Sequence, residues 1–338
     1  QQLSNLKAQL YKQILISLRL NPSHQNIRIQ IREQLDFATI LYHKGLYKQS
    51  LKILDKAKGL AIANEEKNIA YEIVELEKVI ESQYITRSLN NRADELTIQA
   101  KELSQHNVLT SKLSNLSLQL YGLFLKTGYV KNDDEHQIIT KYFNDRLPKY
   151  DINNLGFREK LWLYKSYLWY SFLTVDFLSS YKYASKWVDL FYKNKDMIVL
   201  NPVFFLKGNH YLLEALFYLR QYDKFKETLF QLEEITKEKW FQMDDNVDGL
   251  AFLYIYNNKF NLHFMEGSFE EGIPLIEEVL ERLKNYKDRI DEHHIMVFYY
   301  KIASMYFGAG ENKKCIQYLD KIISNKSLQM REDLLCFA

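Results

Sequence analysis

Proline, glycine and cysteine are all scarce in this chain of 338 residues, which carries 4 prolines, 11 glycines and 2 cysteines. Globular chains ordinarily hold roughly 5% proline and 7% glycine. Both residues interrupt helices, so their scarcity favours many helices joined by short connections. Alternating apolar and polar runs are hard to find, whereas apolar spacings of three and four recur throughout, which excludes a sheet-based fold and predicts an all-α chain. Cys315 and Cys336 are too few for a disulfide framework and read as small buried residues, pointing to a reducing compartment and a cytoplasmic location. An excess of one charge sign is also missing: 45 basic against 43 acidic residues leave a net charge of +2. Nothing in that balance draws the chain to nucleic acid. No run of about 18 uncharged apolar residues is present, so no membrane-spanning helix is expected. The nearest candidate, Trp162 to Leu178, is interrupted by Lys165 and Asp176. No signal peptide is visible. The chain starts at Gln1 rather than Met, and SLQMREDLLCFA at 327–338 reads as the opening of a further helix, so a piece of a longer protein is expected.

What is present is a recurring helical hairpin. QLDFATILYHKGLYKQSLKILDKA begins at Gln34, and YYKIASMYFGAGENKKCIQYLDKII begins at Tyr299. Each has an apolar helix, a turn with Gly45 or Gly310, and a second apolar helix opened by a small residue, Ser50 or Cys315. Turns are predicted near Gly45, Gly128, Ser179, Arg220, Gly267 and Gly310. Their period is roughly 40 to 47 residues, with two longer intervals, of which the first, from Gly45 to Gly128, hides a degenerate copy. After several turns an aromatic, a small and an apolar residue follow at fixed offsets: Tyr47, Ser50 and Leu54; Tyr181, Ala184 and Val188; Phe269, Gly272 and Ile276. The small residue allows the second helix to approach the first closely. Phe225 departs from this rule, and Pro274 is expected to kink its helix or delay its start. Residues 64–105 read as a long helix, a break near Asn90–Asn91 and a second helix, with a coiled coil as the alternative.

This pattern resembles the tetratricopeptide repeat superfamily in degenerate, long-period copies, over Ile27 to Lys326. The resemblance implies an α-solenoid of antiparallel helix pairs, about seven in number, wound as a right-handed superhelix. Residues 1–338 then form one continuous repeat domain, with less regular helices over 1–107, clearer repeats over 108–326 and the start of another helix over 327–338. The resemblance also implies a concave groove lined from the first helix of each pair. Carried onto this sequence, that groove comprises Arg32, Leu35, Thr39 and Tyr42; Trp169 and Asp176; Lys207, His210, Glu214 and Phe217; Tyr254, Asn257, Asn261 and Phe264; and Tyr300, Ser304 and Phe307. Aromatic rings beside asparagines and a few charges suit an extended peptide or a protein partner. The opposing expectation is that the same aromatics pack between helices.

Other motifs carry less. Adjacent helix residues point about 100° apart, so His293–His294 suits a polar helix start better than a metal site. Asp244, Asp245 and Asp248, and likewise Asp133, Asp134 and Glu135, read as helix caps rather than calcium ligands. His263 near Glu266 reads as a helix-interface histidine. Lys182, Lys186 and Lys193 flank Asp189 and read as a solvated face rather than a phosphate-binding stripe. No nucleophilic triad, phosphate-cradling loop or zinc knuckle is found. The expectation is a non-enzymatic scaffold or adaptor without cofactor or metal, acting on a protein or peptide and neither on nucleic acid nor on a membrane. The alternative is a sensory helical-repeat domain of a larger bacterial regulator that responds to a peptide or small ligand.

Overall fold

The computed structural model describes residues 2–20, 26–83, 91–242, 244–286 and 290–325. Among them are sixteen α-helices, one 3-10 turn and no strand, and successive helices pack in sequence, an arrangement consistent with helical repeats. Among the described residues no helix is long and apolar enough to cross a membrane. Cys336 and 327–338 lie outside the described residues, as does Asn90. The chain divides into two compact units. The first holds Gln1–Leu113 and Pro148–Lys160, and the second Ser114–Leu147 and Leu161–Ala338.

The first unit contains α1 (Gln2–Leu20), α2 (Ile27–His43), α3 (Tyr47–Ala63), α4 (Lys67–Gln83) and the opening part of α5 (Arg92–Thr127). Its core is one apolar cluster in which Ile31, Leu51, Leu54, Ile69, Ile73 and Ile80 lose all contact with solvent. Burying such side chains contributes about 1.5–3 kcal/mol each. The heptad-like face of α4 is therefore spent on this core rather than on a coiled-coil partner. A 3-10 turn at Ile152–Asn154 and the first residues of α7 (Phe157–Leu173) also belong to this unit. Glu159 there is fully buried, with the Lys67 ammonium at 3.2 Å and His106 Nδ1 at 2.6 Å.

The second unit takes the rest of α5 and of α7. It adds α6 (Asp133–Arg146), α8 (Phe177–Lys193), α9 (Asp196–Leu200), α10 (Pro202–Tyr218), α11 (Tyr222–Thr236) and α12 (Lys239–Gln242). It ends with α13 (Asp245–Glu266), α14 (Ile273–Tyr286), α15 (Glu292–Gly308) and α16 (Asn312–Ile323). Pro274 sits in the first turn of α14, whose start is delayed to Ile273. Asn132, Asp176, Asp244 and Asp291 cap α6, α8, α13 and α15, each accepting a hydrogen bond from a backbone N–H of the first turn. The acidic runs behind Asn132 and at Asp244 thus serve helix starts. Cys315 is buried at the start of α16, as its small size requires.

One turn geometry recurs. After α2, α3, α7, α10, α13 and α15, a residue in the left-handed region (Gly45, Glu65, Val175, Arg220, Gly267 or Gly310) is followed by an N–H bonded back to the carbonyl five residues earlier. These bonds measure 2.8–3.1 Å and satisfy carbonyls that a helix end leaves free. The third predicted turn needs correction: it lies at Val175, four residues before Ser179, which is already inside α8. With that register Ser180 becomes the counterpart of Ser50. Both are fully buried, and Ser50 donates to the Ala38 carbonyl of the preceding helix at 2.8 Å. Phe225 holds the same position and is also fully buried, so this packing accepts a large ring where the pattern favours a small residue.

Candidate functional site

The four first helices of the second unit, α7, α10, α13 and α15, bring together an aromatic and polar array. Tyr121 on α5 meets Trp169 at 4.9 Å between ring centroids, and Trp169 meets Tyr211 at 5.5 Å. His210 stacks on Tyr254 at 4.5 Å with the rings only 13° from parallel. A chain of polar contacts continues from this stack. Asn258 Nδ2 lies 3.3 Å from His210 Nδ1, Asn261 Nδ2 donates to Asn258 Oδ1 at 3.3 Å, and the Lys301 ammonium donates to Asn261 Oδ1. Lys301 also lies over the Phe264 ring at 5.8 Å. The chain therefore crosses three helices.

The asparagines are constrained by their helix. Asn257 and Asn258 donate to the carbonyls of Leu253 and Tyr254, one turn earlier, at 2.9 and 2.7 Å. Asn257 is 5% exposed, and its Oδ1 is buried with no donor among the described residues.

Electrostatically the array is basic. Burial drives the His210 pKa down to about 3, helped by the charges of Lys301, His294 and Lys207, so the ring is neutral. Asn258 is placed to donate to its Nδ1, while Glu214 stands 4.0 Å from Nε2. Burial lowers Lys301 to about 8, against an opposing pull from Glu214. Burial also lowers Lys165 to about 8, followed by repulsion from Lys207, and Lys207 is itself lowered by burial. Tyr254 is raised to about 12, first by burial. That hydroxyl is therefore not poised as a base near neutrality. Among the described residues no three His, Cys, Asp or Glu side chains converge as metal donors.

The residues predicted from sequence divide between the units. Arg32 and Tyr42 belong to the first unit, where Arg32 lies 3.8 Å from Glu72 and the Tyr42 hydroxyl donates to Gln83 at 2.8 Å. Leu35 is buried in that unit's core, and Thr39 donates to the Leu35 carbonyl at 2.8 Å. Lys207, His210, Glu214, Phe217, Tyr254, Asn257, Asn261, Phe264, Tyr300 and Phe307 lie in the second unit, and His210, Tyr254, Asn261 and Phe264 join the array directly. Phe307 is 68% exposed near the end of α15, whereas Tyr300 packs against the small core shared with α16. Ser304 donates to the Tyr300 carbonyl at 3.0 Å.

Two placements differ from expectation. Asp176 is the cap of α8 and does not face the array, because the turn lies at Val175. Trp169 is only 5% exposed, packed among Tyr121, Phe124, Phe172 and Tyr211, so most of its surface is spent between helices. His293–His294 opens α15, with His294 bonded to the Asp291 carboxylate. His263 meets the Ser268 hydroxyl at 2.8 Å, and Ser268 rather than His263 contacts Glu266.

Sequence reasoning missed Trp162, Lys165, Tyr211, Asn258 and Lys301. The last three share one signal, each standing nine residues before the left-handed residue that ends its hairpin turn. Neither a protein-family model, nor a curated protein, nor a solved structure matches the chain.

Proposed function

We propose that this chain is a non-enzymatic binding module of the tetratricopeptide type, a right-handed solenoid whose second unit holds an extended peptide or a peptide-like segment of a protein partner. The observation that carries this reading is the polar chain Lys301–Asn261–Asn258–His210 laid across α10, α13 and α15 beside stacked rings. Rings supply contact area at low entropic cost, and fixed amides pair with a peptide backbone. The array is held in place by helix-to-helix bonds before any ligand arrives, which reduces the ordering cost of binding.

The test is direct binding of the 338-residue chain, immobilised, to a pool of random octapeptides, with Phe264→Ala and Asn261→Ala alongside. Retention is expected to weaken by roughly 1–3 kcal/mol in either variant, with cooperative melting preserved. Wild-type retention in both variants would place binding elsewhere on the molecule and refute this reading.

A further inference from the structure

Helix α1 carries an apolar face that no described residue of the chain covers. Leu3, Leu6, Leu10, Tyr11, Ile14, Leu15 and Leu18 are each between 46% and 65% exposed, and no residue of α1 belongs to the apolar cluster at the core of its unit. Together they leave on the order of 700–800 Å² of apolar surface in water, against roughly 300–600 Å² for the largest patch on a typical monomer. Each partner brings about 800 Å² to a standard protein interface. An amphipathic helix draws most of its stability from burying such a face. The pattern of the face specifies the partner. Counted outwards from the midpoint of α1, it reads alike in both directions: Leu10 matches Tyr11, Lys7 matches Ile14, Leu6 matches Leu15, Ser4 matches Ser17 and Leu3 matches Leu18. At about 100° per residue, Leu3, Lys7, Leu10, Tyr11, Ile14 and Leu18 share one stripe. Two antiparallel copies related by a two-fold axis set each residue against its match, as a self-complementary interface requires. Lys7 is the one charge in the stripe, and α1 has no acidic residue. Antiparallel pairing sets Lys7 against Ile14 of the second copy and keeps the two Lys7 positions about 10 Å apart along the axis, about a Debye length at 0.1 M salt. A parallel pair would set the two lysines face to face. Arg19 lies off the stripe and meets Asp36 of its own chain at 3.3 Å.

We infer that the chain pairs with a second copy of itself through α1, the two helices packing antiparallel about a two-fold axis beside Leu10 and Tyr11. The interface belongs to the first unit and the aromatic and polar array to the second, so neither reading depends on the other.

The test is analytical sedimentation of the 338-residue chain over about 1 to 100 µM, with flotation on phosphatidylserine vesicles run alongside. The 40.4 kDa monomer is expected to give way to twice that mass as concentration rises. Leu10→Asp/Ile14→Asp is expected to pair at least about a hundredfold more weakly, with the melting midpoint of the dilute wild-type chain, because α1 adds nothing to the core. Lys7→Leu is expected to pair about tenfold more tightly and to lose the gain in affinity that added salt gives the wild type. Under mild oxidation, an equimolar mixture of Ser4→Cys and Ser17→Cys chains is expected to give a disulfide-linked dimer that Ser4→Cys alone does not give. The parent chain is the control for Cys315 and Cys336. A wild-type chain that stays monomeric throughout would overturn the inference, and its capture by the vesicles would assign α1 to an anionic membrane surface instead. Dimers that persist in the double aspartate variant would overturn it too, as would cross-linking through Ser4→Cys alone.

Discussion

His210 is held neutral by its surroundings, and that makes it readable by pH. Its side chain is still 24% exposed, but it stacks on Tyr254 and faces Lys301, His294 and Lys207, with Glu214 in opposition. The folded pKa is near 3, against 6.5 for an unperturbed ring. Between those values the unfolded chain binds a proton that the folded chain does not. Stability from this residue is therefore intact above pH 6.5 and falls as pH drops towards 3. His210→Gln, which keeps an acceptor for Asn258, is expected to lose roughly 1–2 kcal/mol less than wild type between pH 7 and pH 5 in urea melts. Parallel curves for the two proteins would show that the ring protonates freely in the folded state. Trp169 makes a different residue-scale case. It is almost covered, and its Nε1–H has no acceptor among the described residues. Trp169→Ala is expected to cost about 3–5 kcal/mol of stability through the cavity it leaves, read from chemical denaturation. A wild-type midpoint would mean that the surrounding rings collapse into the space.

At the scale of elements, the hairpins are closed by one backbone device supplied by six different residues. Glycine fills three of the six left-handed positions, and there the turn is legible from the sequence alone, because a residue without Cβ adopts that geometry freely. Val175 sits at φ 58, a conformation that a β-branched residue adopts only at a cost, and the residue is 43% exposed, so burial offsets only part of it. Val175→Gly is therefore expected to stabilise the protein by about 1 kcal/mol, seen as a raised melting temperature; an unchanged or lower value would mean that entropy gained by the unfolded chain outweighs relief of strain. The same valine explains why the site was only partly legible. Valine carries no turn signal, so the predicted turn slid to Ser179, which drew in Asp176 and passed over Trp162 and Lys165. The all-α class and the acidic cap at Asp244 were legible because spacing and local chemistry decide them. Asn258 and Lys301 were not, because the helical phase facing the array is set by how neighbouring helices pack. Gly208 shows how tight that packing is: a Cβ there would stand 2.9 Å from Trp187 Nε1, in an indole with no freedom to move because it is fully buried. Gly208→Ala is expected to destabilise by about 1–3 kcal/mol through overpacking.

At the scale of the whole molecule, sequence order and compactness part company. Pro148–Lys160 folds with Gln1–Leu113 although 34 residues of the other unit intervene. Leu147–Pro148 marks the place in the sequence, since proline disfavours helix in the residue before it, but nothing local announces where the segment docks. Charge does that work. Arg158 donates to the Glu65 carbonyl at 2.7 Å and pairs with Glu66, which is also 3.6 Å from Arg28. Glu159 is buried completely and depends on Lys67 and His106. A buried ion pair adds little net stability over an apolar pair, but removing one partner strands the other charge. Lys67→Met is accordingly expected to cost about 3–5 kcal/mol and to speed amide exchange over 157–160 and α4. Adding Glu159→Leu to that variant should restore much of the loss, because it removes the stranded carboxylate as well. Equal stability of the single and double variants would show that His106 alone satisfies Glu159, and that packing rather than charge returns this segment to its unit.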